Sequence, residues 1–445
     1  MSGTPPPARP GAQSRRATVA AFAGTALEWF DYALYGLSAA VVFGPVFFSQ
    51  LGATAGVLAS LATFGVGFAA RPIGGIIFGT LGDRIGRKAI LLICISLIGV
   101  STFLVGVLPS YAQIGVAAPV LLVALRLVQG LGAGVELAAS LTFVTESAAA
   151  RRRGVMSSLV FSGQFIGSAL GTLTFLIVSS SVSPEAFIAW GWRIPYLISI
   201  VALIFVLIVR ATLRDSDEFL VERAANEIRR FPLGEAWRFS RRNLLASLLV
   251  PSAQLVGAYL FVTFPASYLT NTLHFTPATA SAYNLSLTLS NAIAIPFIGL
   301  LVDRFGTRRV FWVGVVASAV LTIPYFLLLQ GGQIGLIIAA GVLMYLASST
   351  LLVPQGAFAR ALFPTRYRLA AFATSREISS AIFAGPAPLV ASALVIAAGG
   401  SQWLVILFFF IALVLTVVGL LTARPVVSEE AEVPASALEA ASPRV

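Results

Sequence analysis

The chain has 445 residues, of which 58% are hydrophobic and only 11% are charged, and its mean hydropathy is +0.92. Soluble domains carry about a quarter charged residues, so this composition excludes an ordinary soluble protein and indicates a lipid environment. The formal net charge of +11 would suggest a nucleic-acid partner in a soluble chain. In a membrane protein the positive charges indicate instead how the chain is oriented across the bilayer. We therefore expect no nucleic-acid partner.

The apolar runs predict twelve membrane-spanning helices, each of which needs about 20 residues to cross the bilayer. Open sheet edges do not survive in hydrocarbon, and the runs lack the alternation of barrel strands, so all twelve are predicted to be helical. In chain order the predicted spans are 20–48, 54–80, 88–108, 117–146, 155–182, 191–210, 243–270, 279–301, 309–330, 334–359, 369–398 and 402–422.

These spans divide the chain into five predicted parts. They are a cytoplasmic tail (1–19), a first six-helix bundle (20–210), a cytoplasmic linker (211–242), a second six-helix bundle (243–422) and a cytoplasmic tail (423–445). The first tail is rich in Pro, Ser and Arg, and we predict disorder up to residue 17. In the linker, Arg223, Glu227 and Arg230 are spaced four and three residues apart, which predicts short helices at the membrane surface.

Basic residues alternate between connections along the chain. Of the 29 lysines and arginines, all but four lie before the first span, after the last span or in every second connection. The intervening connections have none. The positive-inside rule therefore places both termini in the cytoplasm, and this alternation fits an even number of spans.

One charged, glycine-rich connection occurs twice. Residues 79–88 are GTLGDRIGRK, and residues 299–309 are GLLVDRFGTRR, so Asp83 and Asp303 are 220 residues apart. The repeat at half the chain length predicts two similar halves. The glycines of the first copy allow a tight turn and close helix approach, and Asp83 beside arginines can bridge helix ends.

Few charged side chains lie inside the predicted spans, and each costs at least about 2.5 to 3.5 kcal/mol there, so each needs a partner or a function. The acids are Glu28, Asp31, Glu136 and Glu377, and the bases are Arg71, Arg126, Arg193 and Arg376. Glu28 and Asp31 are three residues apart and share a helical face, which Tyr32 and Tyr35 flank. Arg376 and Glu377 are adjacent, so they are expected to point in different directions.

A carboxylate near an arginine can bind and release a proton as its partner moves, which proton-coupled transport requires. For Arg71 and Glu136, which stand near glycines, an ion pair that only joins helices is an open alternative. The predicted proton-coupling residues are Asp31, Glu28, Arg126 and Glu136. The predicted substrate-binding residues are Arg71, Arg126, Gln129, Tyr32, Tyr35, Gln254, Tyr259, Asn284, Asn291 and Arg376; for the polar residues of the second half, packing is the alternative.

Several segments together resemble one family of transporters. They are LEWFDYALYG at 27–36, FAARPIGGIIFGTLGDRIGRK at 68–88, LLVALRLVQGLGAGVE at 121–136, WGWRIPYL at 190–197 and LFPTRYR at 362–368. They resemble the metabolite:proton symporter family of the major facilitator superfamily, whose members import citrate, 2-oxoglutarate, shikimate, or proline and betaine. The resemblance implies that Asp83, Arg84 and Arg87 gate the cytoplasmic side, and that Arg126 with Gln129 and Gly130 serves proton coupling. The predicted gate comprises Gly79, Asp83, Arg84, Gly86, Arg87, Asp303 and Arg304.

The chain departs from that family at three places near the predicted cavity. Relatives typically have Trp-Gly-Gly after Glu136, where residues 137–139 are Leu-Ala-Ala. After the tenth span they usually have Arg-x-Arg-x-x-Gly, where residues 366–371 are Arg-Tyr-Arg-Leu-Ala-Ala, and the pair Arg376-Glu377 is atypical. The resemblance therefore does not identify the solute.

We predict an all-α integral membrane protein with twelve transmembrane helices in two pseudo-symmetric six-helix bundles, around a cavity lined mainly by spans 1, 4, 7 and 10. The predicted function is proton-coupled uptake of a small carboxylate-bearing metabolite or zwitterionic osmolyte by alternating access. The expected partners are that solute, the proton and the lipid bilayer, with a monomer in the inner (plasma) membrane.

Two other functions are open alternatives. One is an exporter of amphipathic compounds on the same fold, and the other is a membrane receptor or sensor that binds without transporting. An enzyme is not expected, because no nucleophile–base pair or phosphate-binding glycine loop is present. Cys94 is the only cysteine, which excludes an intramolecular disulfide or a multi-thiolate metal site. We expect no metal and no cofactor.

Overall fold

The computed structural model describes residues 10–213, 215, 220–221, 232–262, 264–265, 268–269, 273–275 and 277–426. All regular structure in these residues is helical. The predicted surface helices around Arg223, Glu227 and Arg230, and the tail from residue 427, lie outside the described residues.

Twelve helices correspond one to one to the predicted spans. They are α1 (Pro10–Val41), α2 (Ala53–Ile85), α3 (Arg87–Val107), α4 (Ala117–Ser147), α5 (Arg153–Ser181), α6 (Arg193–Ala211), α7 (Pro232–Leu249 and Ser252–Leu260), α8 (Pro277–Phe305), α9 (Thr307–Gln330), α10 (Ile334–Leu352 and Gln355–Leu362), α11 (Thr365–Ser379 and Ala387–Ala397) and α12 (Trp403–Thr422). Short helical turns lie at Phe43–Phe47, Ser49–Leu51, Tyr111–Ile114, Ala150–Arg152, Pro184–Ala186 and Phe187–Gly191. Within the described residues, nine helical stretches are long and apolar enough to cross a membrane, and they coincide with α3 to α10 and α12.

The first helix begins ten residues earlier than predicted. Residues 10–19, assigned from the sequence to a tail, are the first three turns of α1. The segment contains good helix formers such as Ala and Arg and no glycine after residue 11, so nothing ends the helix there. Ala17 is fully buried, and the hydroxyl of Thr18 donates to Sδ of Met156 at 3.2 Å, so this extension packs against α5.

Three helices of the second half are interrupted at prolines. The two segments of α7 meet at Pro251, those of α10 at Pro354, and those of α11 at the π-helical turn Ser380–Ala384 followed by Pro386. Proline has no amide hydrogen to continue the helical ladder, which favours an interruption at these positions. Interrupted helices of this kind are common around transport sites.

Glycines set the close packing of α2 against α4. A side chain at Gly74 would overlap the backbone of Leu131, and one at Gly134 would overlap the carbonyl of Arg71. Small residues allow helix backbones to approach in a membrane, where dispersion contacts replace the hydrophobic effect as the driving force. Arg71 lies in the part of α2 that takes part in this crossing.

Candidate functional site

A cavity of about 220 Å³ lies between the two halves of the molecule. Its walls come from seven helices, and its lining residues are Trp29, Tyr32, Phe68, Arg71, Gln164, Phe165, Ser168, Gln254, Leu255, Ala258, Tyr259, Val262, Thr288, Tyr345, Leu352, Arg376, Ser380 and Ala384. Helices α1, α7 and α10 contribute as predicted. No lining residue comes from α4, whereas α2, α5, α8 and α11 contribute residues that the sequence did not indicate as a group.

The side chain of Arg71, at the cavity wall, donates four hydrogen bonds. Its Nε donates to Oε2 of Glu377 at 2.8 Å, and its Nη2 donates to Oε1 of Glu377 at 3.4 Å. Its Nη1 donates to the hydroxyl of Tyr32 at 2.8 Å and to Oε1 of Glu28 at 3.3 Å. Nη1 of Arg376 donates to Oε1 of Glu377 at 3.1 Å. Two arginines and two carboxylates are thus joined in one buried network beside the cavity.

A second buried network lies one side chain away from the cavity. Nη1 of Arg126 is 3.6 Å from Oδ2 of Asp31, and the same nitrogen donates to Gln129. The hydroxyl of Thr102 donates to Oδ1 of Asp31 at 2.7 Å. The guanidinium carbon of Arg126 lies 5.0 Å from the ring centroid of Tyr32, a residue of the cavity wall. Tyr32 therefore contacts the arginine of each network.

The structure brings half of the predicted substrate-binding residues to the cavity wall. Those that line it are Arg71, Tyr32, Gln254, Tyr259 and Arg376, and those that do not are Arg126, Gln129, Tyr35, Asn284 and Asn291. Tyr35 is fully buried, shares a hydrogen bond with Thr63 and lies against Arg126, with 4.1 Å between the guanidinium carbon and the ring centroid. Asn291 accepts a hydrogen bond from Ser349, which joins α8 to α10. These two positions are packing sites in this conformation.

Glu136 is paired with an arginine that the sequence did not single out. Both of its carboxylate oxygens accept hydrogen bonds from Arg210, and both side chains are fully buried. Arg210 also donates to the carbonyl of Leu91 at 2.6 Å, so it connects α3, α4 and α6. A side chain at Gly24 would overlap this guanidinium, so the glycine of α1 leaves room for the pair.

Both copies of the repeated loop lie at one membrane face, which we call the motif side. The carboxylate of Asp83 accepts hydrogen bonds from the backbone amides of Leu369 at 3.2 Å and Ala370 at 2.7 Å, near the start of α11. The carboxylate of Asp303 accepts from the backbone amides of Gly154 at 2.6 Å and Val155 at 3.0 Å, at the start of α5. Each aspartate thus connects its own half to the other half, and Asp303 does so in the first turn of a helix, where negative charge is favoured.

Around Asp83, charged side chains extend this contact. Arg87 lies 2.9 Å from Asp83 and 3.3 Å from Glu146, and it donates to the carbonyl of Thr365 at 2.9 Å. Glu146 in turn accepts from Arg368 at 2.7 Å. The predicted gate residues Gly79 and Gly86 belong to the same region: Gly79 packs against Ala370, and Gly86 has φ +108° before α3; Arg84 and Arg304 are exposed. At the motif side the two halves are thus in direct contact.

Four charged residues of these networks were given no site role from the sequence, namely Glu377, Arg210, Glu146 and Arg368. Glu377 is recognisable as a charge inside a span, but its partner Arg71 is 306 residues away. Arg210 stands at the end of an apolar run, where a basic residue is expected from the positive-inside rule alone. Glu146 likewise ends a predicted span.

The fold and the buried network between its halves define a membrane solute transporter. The family model described as Sugar (and other) transporter matches residues 16–231, and the model described as Major Facilitator Superfamily matches residues 252–443. The solved structure of the proton:xylose symporter XylE bound to 6-bromo-6-deoxy-D-glucose aligns over 93% of this chain and 95% of that one, with a TM-score of 0.75 and 17% identity, which supports the fold.

Two relatives with named substrates identify the family within this superfamily. The shikimate transporter of Escherichia coli K12 is 34% identical, over 86% of this chain and 88% of the relative. The proline/betaine transporter of Salmonella typhimurium is also 34% identical, over 92% of this chain and 82% of the relative. The chain belongs to the major facilitator superfamily, in the metabolite:proton symporter family that its sequence resembles. The predictions of a twelve-helix, two-bundle fold, of a transporter and of a non-enzyme are confirmed.

Proposed function

We propose that the protein imports a small carboxylate-bearing metabolite or zwitterionic osmolyte together with protons, by alternating access. One observation carries the proposal: Arg71 and Arg376 line a cavity of about 220 Å³ between the two bundles. A guanidinium binds a carboxylate by paired hydrogen bonds, and such a pair is strong where water is scarce.

The remaining lining residues suit a compact solute that also carries a cation. Six aromatic side chains face the cavity, namely Trp29, Tyr32, Phe68, Phe165, Tyr259 and Tyr345. Aromatic faces attract ammonium groups, and quaternary ammonium ligands are bound in this way. The names of the relatives above, a shikimate and a proline/betaine transporter, agree with a carboxylate or zwitterion.

We assign proton coupling to Asp31 with Arg126. A proton on Asp31 removes the charge that pairs with Arg126 and weakens their contact. Arg126 also lies against Tyr32, whose hydroxyl accepts from Arg71, so a shift of Arg126 reaches the cavity through one residue. Glu28 is a second candidate, since its Oε2 is buried without a hydrogen-bond partner among the described residues. Glu136, bound to Arg210, better fits a structural pair.

We further propose that the motif side is cytoplasmic, which places both termini in the cytoplasm and closes the inner face in this conformation. The support is the alternation of basic connections, because cytoplasmic loops are enriched in Lys and Arg. A monomer is expected, since each chain contributes both bundles around its own cavity.

Transport by purified protein in liposomes tests the function. We expect an imposed pH gradient, acid outside, to drive accumulation of at least one of glycine betaine, L-proline and shikimate, and a proton uncoupler to abolish it. Protein-free liposomes are the control. Accumulation that survives the uncoupler would refute proton coupling, and extrusion of amphipathic dyes without carboxylate uptake would favour the exporter. Binding without flux would favour a receptor.

A further inference from the structure

Glu377 connects the two bundles beside the cavity. It lies on α11 in the second bundle, and its carboxylate binds Arg71 on α2 in the first bundle through two nitrogens, at 2.8 and 3.4 Å. It also binds its neighbour Arg376 at 3.1 Å. Glu377 is 2% exposed, so this contact is shielded from water. The two arginines that line the cavity therefore share one carboxylate of the protein.

The edge of Arg71 that suits a carboxylate is already occupied. A guanidinium carries five N–H donors in a planar fork, and one edge with two parallel donors matches one carboxylate. Glu377 uses the Nε and Nη2 edge, while Tyr32 and Glu28 use Nη1. A solute carboxylate that enters the cavity cannot bind this edge of Arg71 while Glu377 remains on it.

We propose that Glu377 is an internal ligand that the solute carboxylate displaces from Arg71. The exchange replaces one carboxylate on the guanidinium by another, and Glu377 keeps its contact with Arg376. No covalent bond changes. The inference rests on the function proposed above, because it requires a solute with a carboxylate.

This exchange would couple solute binding to the contact between the two bundles. In the empty protein the ion pair between Arg71 and Glu377 joins the bundles beside the cavity. Solute binding removes that cross-bundle contact and substitutes a contact of its own, so the relative position of the bundles depends on whether the site is filled. A ligand that interacts differently with two arrangements shifts the balance between them.

The internal ligand also weakens solute binding by a definite factor. An apparent Kd equals the intrinsic Kd divided by the fraction of molecules in which the site is available. If Glu377 occupies Arg71 in about nine molecules of ten, removing its charge lowers the apparent Kd roughly tenfold. A side chain that only stabilises the fold would have the opposite effect, since its loss would loosen the site.

The test compares the wild-type full chain with Glu377→Gln and Glu377→Asp by calorimetric titration in detergent with glycine betaine, L-proline and shikimate. We expect Glu377→Gln to bind at least one of these carboxylates about tenfold more tightly than wild type. Glu377→Asp keeps the charge on a shorter side chain and is expected to fall between the two. The methyl ester of the same compound is the control ligand, and its binding is expected not to improve.

Each outcome decides the proposal. Tighter carboxylate binding by Glu377→Gln, including binding where wild type shows none, supports displacement. If wild type binds a carboxylate and Glu377→Gln binds it with unchanged or weaker affinity, the displacement proposal is overturned and the proposed function stands. No carboxylate binding by any of the three proteins overturns both. If Glu377→Gln does not fold, a Glu377→Asp protein with unchanged or weaker affinity overturns the inference.

Discussion

Asp83→Ala is expected to open the motif side of the molecule. The wild-type carboxylate accepts two backbone amide hydrogens of α11, from Leu369 and Ala370, and it lies 2.9 Å from Arg87. Alanine removes both acceptors, so the two amides near the start of α11 lose their anionic partner. Because the contact joins the two bundles, its loss weakens the closed arrangement more than either bundle alone.

The size of the effect follows from the bonds that are lost. Hydrogen bonds to charged groups contribute about 1.5 to 3 kcal/mol each, and the two distances, 2.7 and 3.2 Å, include one short and one ordinary bond. When the motif side opens, water forms hydrogen bonds with the exposed groups and offsets part of this energy. A net change of about 1.5 to 3 kcal/mol raises the ratio of open to closed molecules roughly 10- to 150-fold.

Cysteine labelling measures this ratio. Ser158 is fully buried at the motif side, where its side chain packs against Gly299 of the other bundle, and cysteine has nearly the same shape as serine. In a Cys94→Ala, Ser158→Cys background, a maleimide reagent reacts when the bundles part. If opening is fast, the labelling rate follows the open population. We expect Asp83→Ala to raise the rate at least tenfold.

Asp215→Ala is the matched control. Its carboxylate accepts a hydrogen bond from the backbone amide of Lys88 at 2.9 Å, also at the motif side, but this bond joins the start of the linker to the first bundle and does not reach the second. We expect its labelling rate to equal that of the background protein. Equal rates for Asp83→Ala and the background, or an equal rise in both variants, would show that the cross-bundle hydrogen bonds of Asp83 do not stabilise closure.

Three other changes test other parts of the structure. Asp31→Asn should abolish gradient-driven accumulation in liposomes while sparing some solute exchange, because the neutral amide cannot carry a proton; normal accumulation would remove Asp31 from the mechanism. Arg210→Met should destabilise the protein by about 3 to 5 kcal/mol in a denaturation assay, because it leaves Glu136 buried and unpaired, whereas Arg210→Met combined with Glu136→Leu should recover much of the loss; no recovery would contradict pairing as the cause. Gly134→Leu should prevent stable folding, seen as aggregation on size-exclusion chromatography, because it overlaps the carbonyl of Arg71; a monodisperse protein would contradict this packing.

The fold was largely predictable because its signals are local or periodic. Three patterns can be recognised in the sequence without knowledge of any contact. They are the apolar runs, the alternation of basic connections, and the loop repeated at Asp83 and Asp303. The start of α1 was missed because a polar, arginine-containing segment is compatible with both a solvated tail and a helix. Only packing decides between them, and here Ala17 is buried.

The buried charges were predictable, but most of their partners were not. The cost of charge in lipid singles out Arg71 and Glu136 from the sequence alone. Their partners depend on how helices rotate and cross: Arg71 meets Glu377 at a separation of 306 residues, and Glu136 meets Arg210 at a separation of 74. Asp31 with Arg126 is the exception, because both residues were predicted from the sequence to take part in proton coupling.

The two copies of the repeated loop differ at one position that matters for contacts at the motif side. In the first copy the residue four positions after the aspartate is Arg87, which binds Glu146 and the start of α11. In the second copy that position is Thr307, which has no charge. The loop beside α5 and α8 therefore lacks an arginine at the position that Arg87 occupies in the loop beside α2 and α11. The same loop pattern in the two halves is therefore completed by different side chains, so the two seams of the motif side are not chemically equivalent although the sequence repeats.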